Sequence, residues 1–166
     1  EFRRVLFRSM GTLFIGDVHG CSAVLRLLLE SGGFDPCSDR LFLTGGEENE
    51  HHVVCFNRAD GAVLWKRAVR PPSSVGEIDV MEDTGFAAPT PATDGRRVYA
   101  LFASGMMAAF DFDGSPAWFR HLGKPDSLYG FASSLIVYQD TVIVQFDQGM
   151  EVEDAKSRLI GIDPGI

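Results

Sequence analysis

Two side chains stand out as candidates for chemistry. Asp17 and His19 lie two residues apart in the loop Gly16-Asp17-Val18-His19-Gly20. An extended backbone would point both side chains to the same side, and the flanking glycines would let the chain approach a ligand closely. One carboxylate oxygen and one imidazole nitrogen suit a divalent ion such as Mn²⁺, Fe²⁺, Co²⁺ or Zn²⁺. Such an ion polarises a bound phosphoryl or carbonyl oxygen and lowers the pKa of bound water.

The flanking residues say how this loop would be held. Thr12-Leu13-Phe14-Ile15 is a short apolar run of strand formers. From Cys21 to Ser31 the apolar residues Val24, Leu25, Leu27, Leu28 and Leu29 recur at helical spacing, with Ser22 as N-cap and Gly32-Gly33 as the stop. Leu41-Phe42-Leu43-Thr44 is a second strand-forming run. Strand, helix and strand in about 35 residues make a βαβ unit with parallel strands. The loop then sits past the carboxyl end of the first strand, where open α/β sheets bind ligands.

At these residues the chain resembles the calcineurin-like metallophosphoesterases. The likeness is to the symmetrical bis(5′-nucleosyl)-tetraphosphatases, and it rests on GDVHG at 16–20, the following helix and DRLFLTG at 39–45. It implies that Asp17 and His19 ligate the first metal of a two-metal centre acting on a dinucleoside polyphosphate. The family continues into a TGD motif whose Asp bridges both metals, but here Gly46 follows Thr44-Gly45. No GNHE-like motif follows either. His51, His52 and His121 have no family-like context. The segment therefore reads as a fragment without a complete catalytic site.

The character of the chain changes after Gly45. Short β-rich runs alternate with Gly, Asp, Asn and Pro turns every 8–12 residues, an all-β pattern. The chain of 166 residues carries a net charge of −8, and because the charges of the first 45 residues cancel, that charge falls on 46–166. Such acidity argues against a general nucleic-acid binder. At 45% hydrophobic and 23% charged residues the composition is that of a folded domain, and no apolar stretch reaches the ~18 residues of a membrane span. Cys21, Cys37 and Cys55 fit no metal spacing and read as buried thiols. Glu1–Ser9, with three Arg and no turn signal, is set aside as an adapter-like scar or a disordered arm. No secretory signal is seen.

The β-rich part repeats. Val53–Arg67 contains VCFNRADGAVLW, and Met107–Arg120 contains AAFDFDGSPAW. Each has an apolar run ending in Phe-Asx, a Gly turn, and Trp four residues after the Gly. A third copy begins at Leu159-Ile160-Gly161-Ile162-Asp163-Pro164-Gly165. Phe56 to Phe110 is 54 residues and Phe110 to Ile162 is 52. A period near 50 with several strands per unit is a propeller-blade signature. Asp94–Arg97 and Gln139-Asp140 read as further tight turns, giving a four-stranded meander per unit.

These units resemble the PQQ-like β-propeller repeat, which also builds the BamB-type outer-membrane assembly factor. The fold expected is mainly β: about two and a half four-stranded blades at 46–166, preceded by one βαβ unit at 10–45, in an apparent chimera. The resemblance implies that Trp65 and Trp118 are packing anchors against the neighbouring blade. PQQ is not expected, since so few blades cannot close a ring. The divalent metal is implied only by the first resemblance, and its retention is not expected. Glu47-Glu48-Asn49-Glu50 and Glu151–Asp154 read as solvated hairpin loops, with His51-His52 on the same surface loop. Two function classes follow, a truncated phosphoesterase and a non-catalytic propeller scaffold for protein binding or cell-envelope assembly. The first implies the cytoplasm, the second the periplasm or envelope. Leu41–Thr44 has two claimants: a parallel pairing with Leu13–Ile15, and an antiparallel hairpin with Val53–Phe56 across the loop 46–52. A strand has two edges, so both are expected together.

Overall fold

The computed structural model describes residues 7–9, 12–15, 40–47, 50–58, 60–81, 84–149 and 156–165. The expected helix over 21–31, the loop with Asp17 and His19, and Cys21 and Cys37 all lie outside those residues. Among the described residues the structure is three sheets in chain order and no α-helix. No helix there is long and apolar enough to cross a membrane.

The first sheet has the order β1 (Phe7–Ser9), β2 (Thr12–Ile15), β3 (Arg40–Glu47), β4 (Glu50–Asn57) and β5 (Val63–Val69). β3 has both of its expected partners. It runs parallel to β2, with Leu13 opposite Leu41, and antiparallel to β4, with Leu43 opposite Val54. Two expectations need correction. Phe7–Ser9 is not a disordered arm, because β1 pairs antiparallel with β2. The loop 46–52 is largely strand: Gly46 pairs with His51 and Glu47 with Glu50, so the hairpin closes across two residues. Gly46 allows this, since a Cβ there would stand 2.7 Å from His51 Nδ1.

The second sheet is a four-stranded antiparallel meander of β6 (Ala92–Thr93), β7 (Arg97–Leu101), β8 (Met106–Asp111) and β9 (Pro116–His121). The third sheet has three strands, β10 (Ile136–Tyr138), β11 (Thr141–Phe146) and β12 (Arg158–Ile162). The expected meander of four is thus complete only in the second sheet. In the first sheet the place beside β3 is taken by the parallel strand β2.

The period of two along a strand explains the packing. Val98, Ala100, Ala108 and Phe110 face the first sheet and join Phe42, Val53, Cys55, Trp65 and Val69. Tyr99, Leu101, Met107 and Ala109 face the third sheet and join Val142, Val144, Phe146 and Ile162. The middle sheet is covered on both sides, so Val98–Leu101 and Met106–Phe110 are apolar without alternation. The three alanines keep the layers close.

The tight turn at Asp94 is held by its own carboxylate. Asp94 Oδ1 accepts from the Arg96 and Arg97 amides, both at 2.8 Å, and Oδ2 accepts from the Tyr99 hydroxyl at 2.7 Å. Burial raises the Asp94 pKa, but these donors outweigh it and hold the carboxyl below its ordinary value.

Candidate functional site

The strongest geometric feature is a joint between sheets that occurs twice. Each joint begins in a hairpin with a β-bulge at the same place, between Cys55 and Phe56 in the first sheet and between Ala109 and Phe110 in the second. The bulge sets the register, so Trp65 stands opposite Cys55 and Trp118 opposite Ala109. A strand bends and twists more at a bulge, which re-aims its side chains.

At the first joint the Trp65 indole is 7% exposed. Its Nε1–H donates to the Phe112 carbonyl oxygen of the next sheet at 2.9 Å. The ring lies 5.7 Å from Phe42 and 5.9 Å from Phe110. Arg40 donates to the same Phe112 carbonyl. Arg67 Nε donates to the Gly114 carbonyl at 2.7 Å, and its guanidinium stands 5.7 Å from the Trp65 ring centroid. The receiving turn needs a glycine. Gly114 has φ +86°, and a Cβ there would lie 2.8 Å from Trp65 Cγ.

The second joint repeats the first. Trp118 Nε1–H donates to the Pro164 carbonyl at 3.1 Å, and Arg97 donates to the same oxygen at 2.7 Å. Tyr99 stacks 5.9 Å from Trp118, in the place that Phe42 holds, tilted, beside Trp65, and the Arg120 guanidinium stands 4.8 Å from the ring. Donor and acceptor are 47 residues apart in the first joint and 46 in the second. The two tryptophans are therefore anchors at equivalent places in successive sheets, as the repeat implied. Trp118 is half-buried where Trp65 is buried.

His51 and His52 do not form a surface loop. Alternation along β4 puts His51, Val53 and Cys55 on the face toward the second sheet. His51 is fully buried, stacked 4.6 Å from Phe102 and 6.3 Å from Phe86. Its Nε2 shares a 3.0 Å hydrogen bond with Ser104 Oγ, while Nδ1 is buried with no hydrogen-bond partner among the described residues. Burial, with the neighbouring His52, pushes the imidazole pKa down to about 4. His52 turns outward to Glu50 Oε1 at 2.8 Å, and Glu50 also binds Arg70. The Arg70 hydrogen bond holds the Glu50 carboxyl below its ordinary value. The signal for a core His51 was present in the sequence. It shares the alternation Val53-Cys55, and a glycine stands opposite it in the hairpin.

Cys55 is a buried free thiol, as expected, and burial pushes its pKa up to about 11. A thiol so placed is inert. Asp17 and His19 fall outside the described residues, and among the described residues no three His, Cys, Asp or Glu side chains form a metal-holding group. The Ser104–His51 pair is buried, and among the described residues no acid meets His51 Nδ1.

Comparison with known proteins agrees with the sheet geometry. A family model described as outer membrane protein assembly factor BamB matches residues 19–165. Short segments are similar to curated symmetrical bis(5′-nucleosyl)-tetraphosphatases. The Photorhabdus laumondii protein is 56% identical over 36 residues, covering 22% of this chain and 13% of that protein. The Edwardsiella ictaluri protein is 61% identical over 36 residues, with the same coverages. The Glaesserella parasuis protein is 53% identical over 49 residues, covering 28% and 18%. The chain thus spans under a fifth of the length of these three curated relatives. Among solved structures, a europium-containing methanol dehydrogenase superposes with TM-score 0.49 at 17% identity, covering 68% of this chain and 19% of that one. BamB from Moraxella catarrhalis superposes with TM-score 0.44 at 17% identity, covering 75% and 40%.

Proposed function

The chain belongs to the family described as outer membrane protein assembly factor BamB, and on that premise we propose that it acts as a non-catalytic, protein-binding scaffold of the bacterial cell envelope. The observation that carries this reading is the doubled joint. Trp65 on Phe112 and Trp118 on Pro164 spend the repeat's most distinctive side chains on holding one sheet to the next. A propeller repeat is a scaffold, and function lives in the sites grafted on it.

The GDVHG segment fits the same proposal as a remnant without turnover. Asp17 and His19 supply at most part of one metal site, and Gly46 stands where a bridging carboxylate would be required. The described residues offer no further ligand cluster to complete it. A divalent ion there would polarise a phosphoryl group, but no step is derived through it.

One experiment tests both halves. The purified chain is mixed with a urea-denatured outer-membrane β-barrel protein on dilution, and complex formation is followed by sedimentation. In parallel it is incubated with diadenosine tetraphosphate and Mn²⁺ or Co²⁺. A saturable complex with no hydrolysis is expected. Hydrolysis that disappears in Asp17→Asn and in His19→Ala would restore the phosphoesterase and overturn the scaffold reading.

A further inference from the structure

We propose that the buried turn between β7 and β8 is an acid-operated latch, in which protonation of His51 releases the turn and the two connecting segments fastened to it. The inference goes beyond the scaffold reading and does not depend on it.

A turn ordinarily runs over the surface, where water completes its backbone hydrogen bonds. The turns at Asp94–Arg96 and at Gln139-Asp140 are exposed in this way. Phe102–Gly105 differs, because every one of its residues is buried. Its backbone groups must therefore find partners away from bulk water. Two bonds close the turn on itself. Phe102 N–H donates to the Met106 carbonyl at 3.0 Å, and Gly105 N–H donates to the Phe102 carbonyl at 2.8 Å. The others come from outside the hairpin. The Ala103 amide donates to the Phe86 carbonyl at 2.9 Å, and the Ala103 carbonyl accepts from the Phe131 amide at 3.3 Å. The Gly105 carbonyl accepts from the Leu122 amide at 2.9 Å. The turn thus ties the segment between β5 and β6 to the segment between β9 and β10. Gly105 permits this approach, since a Cβ there would run into the Gly123 carbonyl.

The first sheet joins at Ser104. Two imidazoles hold this residue, and a proton affects them differently. His121 Nε2 lies 3.0 Å from the Ser104 carbonyl oxygen. That oxygen only accepts, so Nε2 carries a hydrogen whether or not the ring is charged. His51 Nε2 lies 3.0 Å from Ser104 Oγ, which also accepts from the Met106 amide at 3.2 Å. A charged His51 needs an acceptor at Nδ1 as well, and among the described residues none is bonded there. The Glu47 main chain favours the charged ring, but burial opposes it more strongly. The other surroundings of the ring are apolar or already engaged. Val69 stands opposite on β5, and Phe86 and Phe102 flank the ring. Glu50 is held by His52 and Arg70, and Glu47 is exposed. A charged His52 repels a second charge at His51.

Linkage gives the direction. The ring takes a proton near pH 4 with the turn closed, and near 6.5 once opening exposes it to water. Opening therefore binds a proton, and acid favours it. With those two values the opening equilibrium is about 60-fold larger at pH 4.5 than at pH 7.

Amide exchange of the full chain, followed by NMR in low, non-denaturing urea, tests the latch. Protection is taken relative to the unstructured rate at each pH. The Ala103, Met106 and Phe131 amides should lose protection by that same factor between pH 7 and 4.5. Their exchange should be insensitive to urea, because a local opening exposes little surface. The slowest amides of β8 and β11 should remain better protected and respond steeply to urea. His51→Gln should abolish the pH dependence at the turn, and His121→Gln should keep it. In the parent chain the His51 ring should titrate near pH 4 in nitrogen-15 spectra, a readout that needs no variant. Turn amides that share the urea dependence of the β8 and β11 amides would overturn the proposal, since acid would then act only through global unfolding. A pH dependence that survives His51→Gln, or a His51 ring that titrates at its ordinary value in the folded chain, overturns it as well.

Discussion

Replacing Trp65 by Ala should cost more stability than replacing Trp118 by Ala, although the two residues hold equivalent joints. Trp65 is 7% exposed and wedged among Phe42, Phe110 and the Gly114 turn. Truncating a buried Trp to Ala costs about 3–5 kcal/mol through lost transfer energy and the cavity left behind. Removing the indole N–H also takes a hydrogen bond from the Phe112 carbonyl, worth about 1 kcal/mol net. Arg40 still donates to that oxygen, which limits the loss. The sum is about 4–5 kcal/mol, a large part of the ~5–15 kcal/mol that holds a domain folded. Trp118 keeps the same hydrogen bond, to Pro164, but is less completely buried than Trp65. Scaled by the covered area, its truncation should cost less, about 2–4 kcal/mol. The assay is urea unfolding followed by far-ultraviolet circular dichroism, so that loss of an indole does not remove the signal. Trp65→Phe separates packing from hydrogen bonding and should cost about 1–2 kcal/mol. Equal costs at the two positions, or a Trp65→Ala cost near zero, would refute the argument that burial at the first joint dominates.

Three further outcomes follow from the same joints. His51 is buried neutral with its pKa lowered to about 4, while the unfolded imidazole takes a proton near 6.5. The unfolded state therefore binds the proton first on acidification. The stabilisation is fully present above about pH 6.5 and is lost as the pH falls toward 4, by at most about 3 kcal/mol at ~1.4 kcal/mol per unit. Urea midpoints between pH 7 and 4.5 should fall steeply in the parent chain and much less in His51→Gln. Gly114→Ala meets Trp65 at 2.8 Å and a φ of +86°, whereas Gly61→Ala meets only its φ of +72° with open space around it. The first should cost at least about 1 kcal/mol more than the second in the same unfolding assay. Cys55, fully buried with its thiol pKa raised to about 11, should react with a disulfide reagent only after urea unfolds the first sheet. Fast reaction in the native state would place it elsewhere.

Much of the architecture was written locally. The Gly-x-x-x-Trp units mark where a tight turn must end and where a bulky ring must fall on the next strand. Those are short-range constraints, and they predicted Asp94–Arg97 as a turn, while the family resemblance implied Trp65 and Trp118 as anchors. The apolar runs Leu41–Thr44 and Val53–Phe56, joined by a short loop, likewise predicted their hairpin. His51 is the instructive failure. In sequence it adjoins an acidic cluster, Glu47-Glu48-Asn49-Glu50, and acidic stretches read as solvated loops. A polar side chain becomes buried only if a partner meets it, and Ser104, 53 residues away, is invisible from positions 51 and 52. Phe86 and Phe102, which enclose the ring, are equally remote.

The sequence by itself determined the repeat: its period, its turns, its strand faces and the two indoles, because these depend on backbone conformation and on neighbours within a hairpin. Only the tertiary structure decided what each face meets. The apolar pattern of Leu159 and Gly161 matches that of Met107 and Ala109, yet one pair is exposed and the other buried. Burial belongs to the sheet stacked alongside, which is not encoded in the strand that needs it. For the same reason β3 could be assigned two pairings from its residues, while their simultaneous occupation depended on β2 and β4 arriving at opposite edges.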